Sequence, residues 1–224
     1  MFPSLPISPF GILIAIGFVL ASFIFWRGLK DDFSDEEIFS LTSWSGLFGL
    51  LAGRLGYVIF NFQLFLQNPM ALFFWTKYFG FSLLGAVLGM VGALLVWAKK
   101  GERDIWQVLD VLVASGLAMF IFGSLGAYFS NREFFYLGFG LAGFLVLILQ
   151  KFYLSKYRSF PFYPSGKVGF LGLSSIILLF SFILPLDFYK NGRLSWEAIG
   201  YLAVVVVAGG FLYLRSERRG TKKQ

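Results

Sequence analysis

The chain has 224 residues, of which 58% are hydrophobic and 21% aromatic, while only 14% are charged. Soluble domains carry roughly a quarter charged residues, so this composition excludes an ordinary water-covered surface and predicts an all-α, polytopic membrane protein. The net charge of +7 comes from basic residues in short breaks between apolar runs, which excludes a basic groove for nucleic acid. Histidine and cysteine are absent, so histidine-dependent catalysis and disulfides are excluded, and we expect no cofactor and no metal ion.

Apolar runs bounded by charged residues, prolines and polar clusters predict seven transmembrane helices. In chain order these spans are 10–27, 38–62, 79–98, 105–129, 134–154, 167–187 and 196–214. Residues 1–214 are predicted to form one transmembrane domain, and residues 215–224 a basic cytoplasmic tail. Two spans have clear start signals, because Ser34 with Glu37 forms a capping box and Ser195 precedes an acidic first turn.

The basic residues also predict the orientation of the chain. Fourteen of the nineteen Lys and Arg fall on one side of the predicted membrane and four on the other, while Arg54 lies inside the second span. The positive-inside rule therefore places the N-terminus outside and the C-terminus in the cytoplasm.

Small residues recur at spacings of three and four in the second, third and fourth spans. These glycines are Gly46, Gly49, Gly53 and Gly56, then Gly85, Gly89 and Gly92, then Gly123 and Gly126. Such narrow faces let helix backbones approach closely in lipid, so we expect these spans to pack through them.

Ionisable groups within the predicted spans are few, and two of them lie away from the span ends: Arg54 in the second span and Asp110 near the start of the fourth. One interpretation is that they neutralise each other as a buried pair. Their depths differ by roughly 16 Å, however, which favours separate roles. Arg54 is expected in the outer half, available to a phosphate, a carboxylate or helix-end carbonyls, and Asp110 near the cytoplasmic face beside Arg103 or Lys99.

Polar side chains lie next to Arg54 along the second span. Gly53, Tyr57 and Asn61 follow one side of that helix, and Tyr57 lies three residues after Arg54. A guanidinium, a phenol and a carboxamide beside a glycine gap are suited to bind a lipid headgroup. The alternative is that Tyr57 and Asn61 are anchors at the membrane interface.

The segment GRLGYVIFN resembles a motif of the prolipoprotein diacylglyceryl transferases, bacterial membrane enzymes with seven spans and an outside N-terminus. Further segments follow in that family's order and at about its spacing: NPMALFFW, GFSLLGAVLGMVGALLVWAKKGE, WQVLDVLVASGLA and FGSLGAYFSNRE. The resemblance covers roughly residues 10–133.

The resemblance implies transfer of a diacylglyceryl group from phosphatidylglycerol to the thiol of a lipobox cysteine in an exported precursor, with release of glycerol phosphate. The implied partners are phosphatidylglycerol or another anionic phospholipid and lipobox-containing precursors. The implied location is the bacterial cytoplasmic (inner) membrane. Gly53, Arg54, Tyr57, Asn61 and Asp110 carry over from the family's motifs, with Arg54 as a headgroup contact.

The sequence departs from the family's pattern at several positions. Leu84 stands where the family has a histidine, Ser124 replaces an arginine and Ala127 an asparagine, while Asn131 and Glu133 match only after a one-residue shift. Losing one preorganised donor commonly costs a catalyst about 2.7 to 4 kcal/mol. We therefore expect slow transfer unless a tyrosine, Glu133 or the substrate takes over the proton.

These considerations give one set of candidate residues and three functional hypotheses. The predicted catalytic residues are Arg54, Tyr57 and Glu133; the predicted lipid-binding residues are Gly53, Arg54, Tyr57, Asn61, Ser124 and Asn131; Asp110 is a structural polar residue that orders the helices. The first hypothesis is a working transferase and the second a non-catalytic relative that binds phospholipid or lipoprotein precursors. The third is a transporter, channel or scaffold, which the sparse intramembrane charges disfavour.

Overall fold

The computed structural model describes residues 9–67, 80–101, 104–154, 169–192 and 195–215. Within these ranges every regular element is helical. The elements are α1 (Pro9–Leu29), α2 (Asp35–Phe60), α3 (Phe62–Gln67), α4 (Leu83–Gly101), α5 (Ile105–Asn131), α6 (Phe134–Leu149), a π-helical turn (Gln150–Leu154), α7 (Phe170–Asn191) and α8 (Trp196–Arg215).

All seven predicted spans are helical over most of their described residues, with bounds that shift by a few residues. The sequence did not predict the short helix α3. It forms because Asn61 ends α2 with non-helical backbone angles, φ −117° and ψ 33°, and the chain resumes a helix at the next residue. The π-helical turn that continues α6 was also not predicted.

Six helices in the described part of the chain are long and apolar enough to cross a membrane, namely α1, α4, α5, α6 with its π-helical turn, α7 and α8. The chain is therefore an all-α, multi-pass membrane protein. Helix α2 has 26 residues but is not among the six. The prediction of a seventh span rests on α2.

The chain divides into two compact units, one formed by Met1–Leu29 with Trp106–Gln224 and the other by Lys30–Ile105. We call the first the outer-segment unit, because its two segments flank the second in the sequence, and we call the second the central unit. Each unit is described by itself. The single domain over residues 1–214 stays a prediction. The tail also stays a prediction, since residues 216–224 lie outside the described residues.

In the central unit, the backbones of the two long helices α2 and α4 pack closely against each other. A Cβ added to Gly85 would lie 2.3 Å from the carbonyl oxygen of Ala52, and one added to Gly89 would lie 2.4 Å from that of Phe48. The predicted glycine faces of the second and third spans are thus confirmed as a contact between α2 and α4 at Gly49, Gly56, Gly85 and Gly89, whereas Gly92 takes no part in it. The predicted capping box at Ser34 is also confirmed.

In the outer-segment unit, α1 packs on α5 and α7 packs on both α6 and α8. Gly17 of α1 lies against Phe122, and Gly126 of α5 lies against Phe10, so this glycine face is also used as predicted. The rings of Phe180 and Tyr201 stack between α7 and α8, with centroids 5.3 Å apart.

Asp110 connects α5 to the beginning of α7. Its two carboxylate oxygens accept hydrogen bonds from the backbone amides of Gly169, at 2.7 Å, and Gly172, at 2.6 Å. These amides belong to the N-terminal turn of α7, where no intrahelical acceptor exists and a negative charge is favourable. Of the predicted partners, Arg103 lies outside the described residues and Lys99 belongs to the central unit.

The end of α7 and the start of α8 are joined by a buried carboxylate, that of Asp187. It accepts a hydrogen bond from the hydroxyl of Ser195, and that hydroxyl oxygen accepts one from the amide of Ala198. Ser195 therefore caps α8, as the sequence predicted. Asp187 itself was not singled out from the sequence, because it falls at the predicted end of its span.

Replacing Gly85 with alanine is expected to destabilise the protein by about 1 to 3 kcal/mol, because the new methyl group meets the backbone of α2. The matched control is Gly92→Ala in the same helix, where an added Cβ meets no atom within 4 Å. That control should be neutral or stabilising by up to about 1 kcal/mol. Thermal unfolding of detergent-solubilised protein, followed by circular dichroism, measures both; equal effects would contradict the described packing.

Replacing Asp110 with alanine is expected to cost about 1 to 3 kcal/mol, since two buried amide donors of α7 lose a charged acceptor. Asp110→Asn keeps one acceptor oxygen and should lose less. The control is Asp31→Ala, at an exposed position between α1 and α2. If Asp110→Ala melts at the same temperature as the control, the carboxylate does not hold α7 in the way that the structure indicates.

Candidate functional site

Arg54 is a buried cation in the pair of helices α2 and α4 of the central unit. It lies in the second half of α2 and its side chain is 4% exposed. Its Nη1 atom donates a hydrogen bond of 3.1 Å to the carbonyl oxygen of Gly80, just before α4. Of the acceptors that the sequence left open for Arg54, the structure thus supplies a backbone carbonyl next to a helix end.

Two aromatic rings lie close to the Arg54 guanidinium. Its central carbon is 5.8 Å from the ring centroid of Tyr57 and 5.5 Å from that of Phe65. The two rings meet edge to face, with centroids 6.1 Å apart. Contacts at these distances attract a cation, by about 0.5 kcal/mol at exposed sites and about 2 kcal/mol where water is excluded.

The residues Gly80, Phe81 and Ser82, which we call the strap, lie against α2 beside Arg54. The amide of Ser82 donates a 3.0 Å hydrogen bond to the carbonyl oxygen of Gly53. The hydroxyl of Ser82 accepts the amide of Gly85 at 3.3 Å, so the same buried serine caps α4. The strap therefore joins the middle of α2 to the first turn of α4.

Glycine at two positions allows the strap to lie this close. A Cβ added to Gly80 would lie 2.0 Å from the Tyr57 ring, and one added to Gly53 would lie 2.2 Å from the Phe81 ring. The two glycines are thus covered by aromatic rings from the opposite segment. In this geometry Gly53 and Tyr57 contact the strap, which the sequence did not foresee.

Asn61 lies at the end of α2, one turn beyond Tyr57. Its backbone amide and its side-chain Nδ2 both donate to the carbonyl oxygen of Tyr57, each at 3.0 Å. The residue is exposed and serves as the C-cap of the helix. Its predicted contact with a lipid headgroup is not tested by this geometry.

The remaining predicted site residues belong to the outer-segment unit. Glu133 forms an ion pair with Lys190 at 3.7 Å, and its side chain is half exposed. Asn131 is the exposed last residue of α5. Ser124 is buried, and a Cβ added to Gly140 of α6 would lie 3.4 Å from the Cβ of Ser124. The structure thus describes two separate groups of predicted residues, one in each unit.

Sequence reasoning missed two direct neighbours of Arg54, namely Gly80 and Phe65. Gly80 contributes a backbone carbonyl, which any residue type possesses, so no side-chain signal marks it. Phe65 is one of 30 phenylalanines in the chain and belongs to a helix of six residues, too short for a periodic pattern.

The chain is similar to known proteins over most of its length. The sequence profile of the family described as prolipoprotein diacylglyceryl transferase matches residues 1–166. A phosphatidylglycerol–prolipoprotein diacylglyceryl transferase from Idiomarina loihiensis is 34% identical over 134 residues, which are 57% of this chain and 49% of that protein. One of the same name from Acinetobacter baumannii is 33% identical over 105 residues, 46% of this chain and 38% of the relative.

A longer alignment relates the chain to another protein of that name. The relative from Photobacterium profundum is 28% identical over 245 aligned residues, covering 94% of this chain and 89% of the relative. In the Idiomarina and Acinetobacter alignments, by contrast, the chain spans about half or less of the relative's length. Because the family profile matches well over half of its residues, the chain belongs to the prolipoprotein diacylglyceryl transferase family.

Proposed function

We propose that this protein transfers the diacylglyceryl group of phosphatidylglycerol to the thiol of a lipobox cysteine in a precursor protein. The proposed location is the bacterial cytoplasmic membrane, with the N-terminus outside. Family membership supports this activity, and so does the single observation on which it depends most, the buried Arg54 fixed in the central unit.

The reaction requires a positive charge where the phosphate departs. The cysteine sulfur attacks the glyceryl carbon that carries the phosphate ester, so a sulfur–carbon bond forms while the carbon–oxygen bond to phosphate breaks. The thiol proton leaves with a base, and glycerol phosphate leaves with the extra negative charge. A fixed guanidinium stabilises that charge as it develops, and in a water-excluded site this term is usually the largest one.

Arg54 is suited to that role because arginine stays protonated even when it is buried. The Gly80 carbonyl and the Tyr57 ring hold the guanidinium in one orientation, so little reorganisation is needed when charge develops. Tyr57 and Glu133 are the proposed proton acceptors. The proposed headgroup contacts are Gly53, Asn61, Ser124 and Asn131.

Expression in cells depleted of their own transferase tests this function. The wild-type chain should restore the mobility shift of a lipidated precursor, and Arg54→Ala should lower the rate by about a hundred- to a thousandfold. Arg54→Lys keeps the charge but loses the planar fork, so an intermediate rate is expected. Arg27→Ala, at an exposed position of α1, is the matched control and should behave as wild type. A wild-type chain that inserts in the membrane but yields no shift would refute the transferase.

A second candidate function is that of a non-catalytic relative that binds phospholipid. Buried packing at two positions favours it: Ser124 is 6% exposed beside Gly140, and Leu84 is 8% exposed in the first turn of α4. The resemblance places an arginine and a histidine there. A close-packed serine and a buried leucine supply neither a cation nor a proton acceptor.

Native mass spectrometry separates the two candidates. Both predict that purified wild type retains phosphatidylglycerol and that Arg54→Ala retains less, with Arg27→Ala as the control. The binding relative predicts this difference together with no lipidated precursor in the depleted cells. Equal retention by wild type and Arg54→Ala would contradict the role of Arg54 in both candidates.

A further inference from the structure

Helix α3 packs toward α2 through the side chain of Phe65. Of its six residues, all of which the structure describes, Phe65 alone is buried, at 5% exposure. The three other apolar residues are exposed: Phe62, Leu64 and Leu66. The helix follows directly after the non-helical Asn61, and its first turn closes through a hydrogen bond from the amide of Leu64 to the carbonyl oxygen of Asn61.

The side chain that anchors α3 also covers Arg54. The Phe65 ring lies 5.5 Å from the guanidinium carbon and meets the Tyr57 ring edge to face. Since Arg54 is 4% exposed, a phosphate of lipid size reaches its N–H groups only if a covering group moves aside. The covering groups described are the strap, Tyr57 and Phe65.

These covering groups differ in how firmly they are held. The strap is fixed by the Ser82 amide on α2 and by the cap that Ser82 forms on α4. Tyr57 is part of the continuous helix α2. Among the described residues, α3 contributes one buried side chain and follows a break in the helix, so it has fewer described packing contacts to lose on moving than the strap or α2 has.

We propose that α3 is a lid over Arg54, with Phe65 as its plug, and that an anionic phospholipid headgroup reaches Arg54 only when Phe65 withdraws. This inference rests on the proposed function, because it concerns access to the same guanidinium. Closure excludes water from the cation between encounters with lipid. It also makes Phe65 a determinant of access, which does not itself take part in the bond-breaking step.

The lid has a measurable effect on binding. When only the open state binds, the apparent dissociation constant is the intrinsic one divided by the open fraction. If the closed state is favoured by about ten to one, removing the plug strengthens apparent binding by up to about tenfold. Phe65→Ala should therefore retain phosphatidylglycerol at lower lipid concentrations than the wild type.

Chemical modification of Arg54 tests the lid without any lipid. The full chain in detergent is treated with phenylglyoxal, a reagent for arginine, and modification is followed at each arginine by peptide mass spectrometry. We expect Arg54 of Phe65→Ala to react about tenfold faster than in the wild type, while the exposed Arg27 reacts equally in both and serves as the internal standard. Phe62→Ala is the matched control, because Phe62 is a 57% exposed phenylalanine of the same helix, and it should leave Arg54 protected.

A conservative variant guards against loss of folding. Phe65→Leu keeps an apolar plug and should give a rate between those of wild type and Phe65→Ala, with gel filtration used to accept only monodisperse protein. Equal modification of Arg54 in the wild type and in both Phe65 variants would overturn the lid. A rise in Phe62→Ala as large as that in Phe65→Ala would overturn it as well.

A second arm separates the lid from the proposed function. Phosphatidylglycerol, phosphatidylcholine or glycerol phosphate is added to Phe65→Ala before the reagent. Protection of Arg54 by phosphatidylglycerol, and by neither of the others, supports an anionic lipid at an opened site. Faster modification of Phe65→Ala without protection by phosphatidylglycerol would refute Arg54 as the headgroup contact while supporting the cover by Phe65.

Discussion

The hydrogen bond from Arg54 to the Gly80 carbonyl is the interaction that the central unit is arranged around. A guanidinium at membrane depth costs several kcal/mol unless polar partners face it. Among the described residues, the partners of Arg54 include the strap and two aromatic rings of the same unit. The cation is therefore kept by groups that also fix the start of α4, so charge and packing depend on each other.

Close helix packing brings that carbonyl to the arginine. In a bilayer, apolar side chains gain little free energy by leaving the lipid for a helix interface. Helix association therefore depends on how closely two backbones approach. Gly85 and Gly89 bring α4 against the carbonyls of α2, and this contact places Ser82 where its amide meets Gly53. Gly85 and Gly89 thus help to position the Gly80 carbonyl that accepts the hydrogen bond of Arg54.

Much of this architecture follows from the sequence because membranes impose simple rules. Long apolar runs predicted seven spans, of which six are described as long and apolar enough to cross a membrane. The Ser34 capping box marked the start of α2, and glycine spacing indicated the face between α2 and α4. The described hydrogen-bond acceptor of Arg54 is the main-chain oxygen of Gly80, 26 residues later in the chain. Because every residue has such an oxygen, no side-chain pattern in the sequence indicates it. Helix α3 could not be predicted from the sequence either. Six residues show no periodic pattern, and the burial of Phe65 depends on tertiary contacts.

For the proposed transfer, the missing histidine changes the demands on the site more than it excludes the reaction. An unperturbed thiol has a pKa of about 8.5, so a few per cent is already thiolate at neutral pH. The departing phosphate monoester has a second pKa of about 6, which allows the product itself to hold a proton near neutrality. Proton removal then needs no strong base, and the larger requirement is a cation at the phosphate. In the proposed reaction, a permanently charged arginine that its own chain fixes before the substrate arrives meets that requirement, which is why the proposal depends on Arg54 and the groups that cover it.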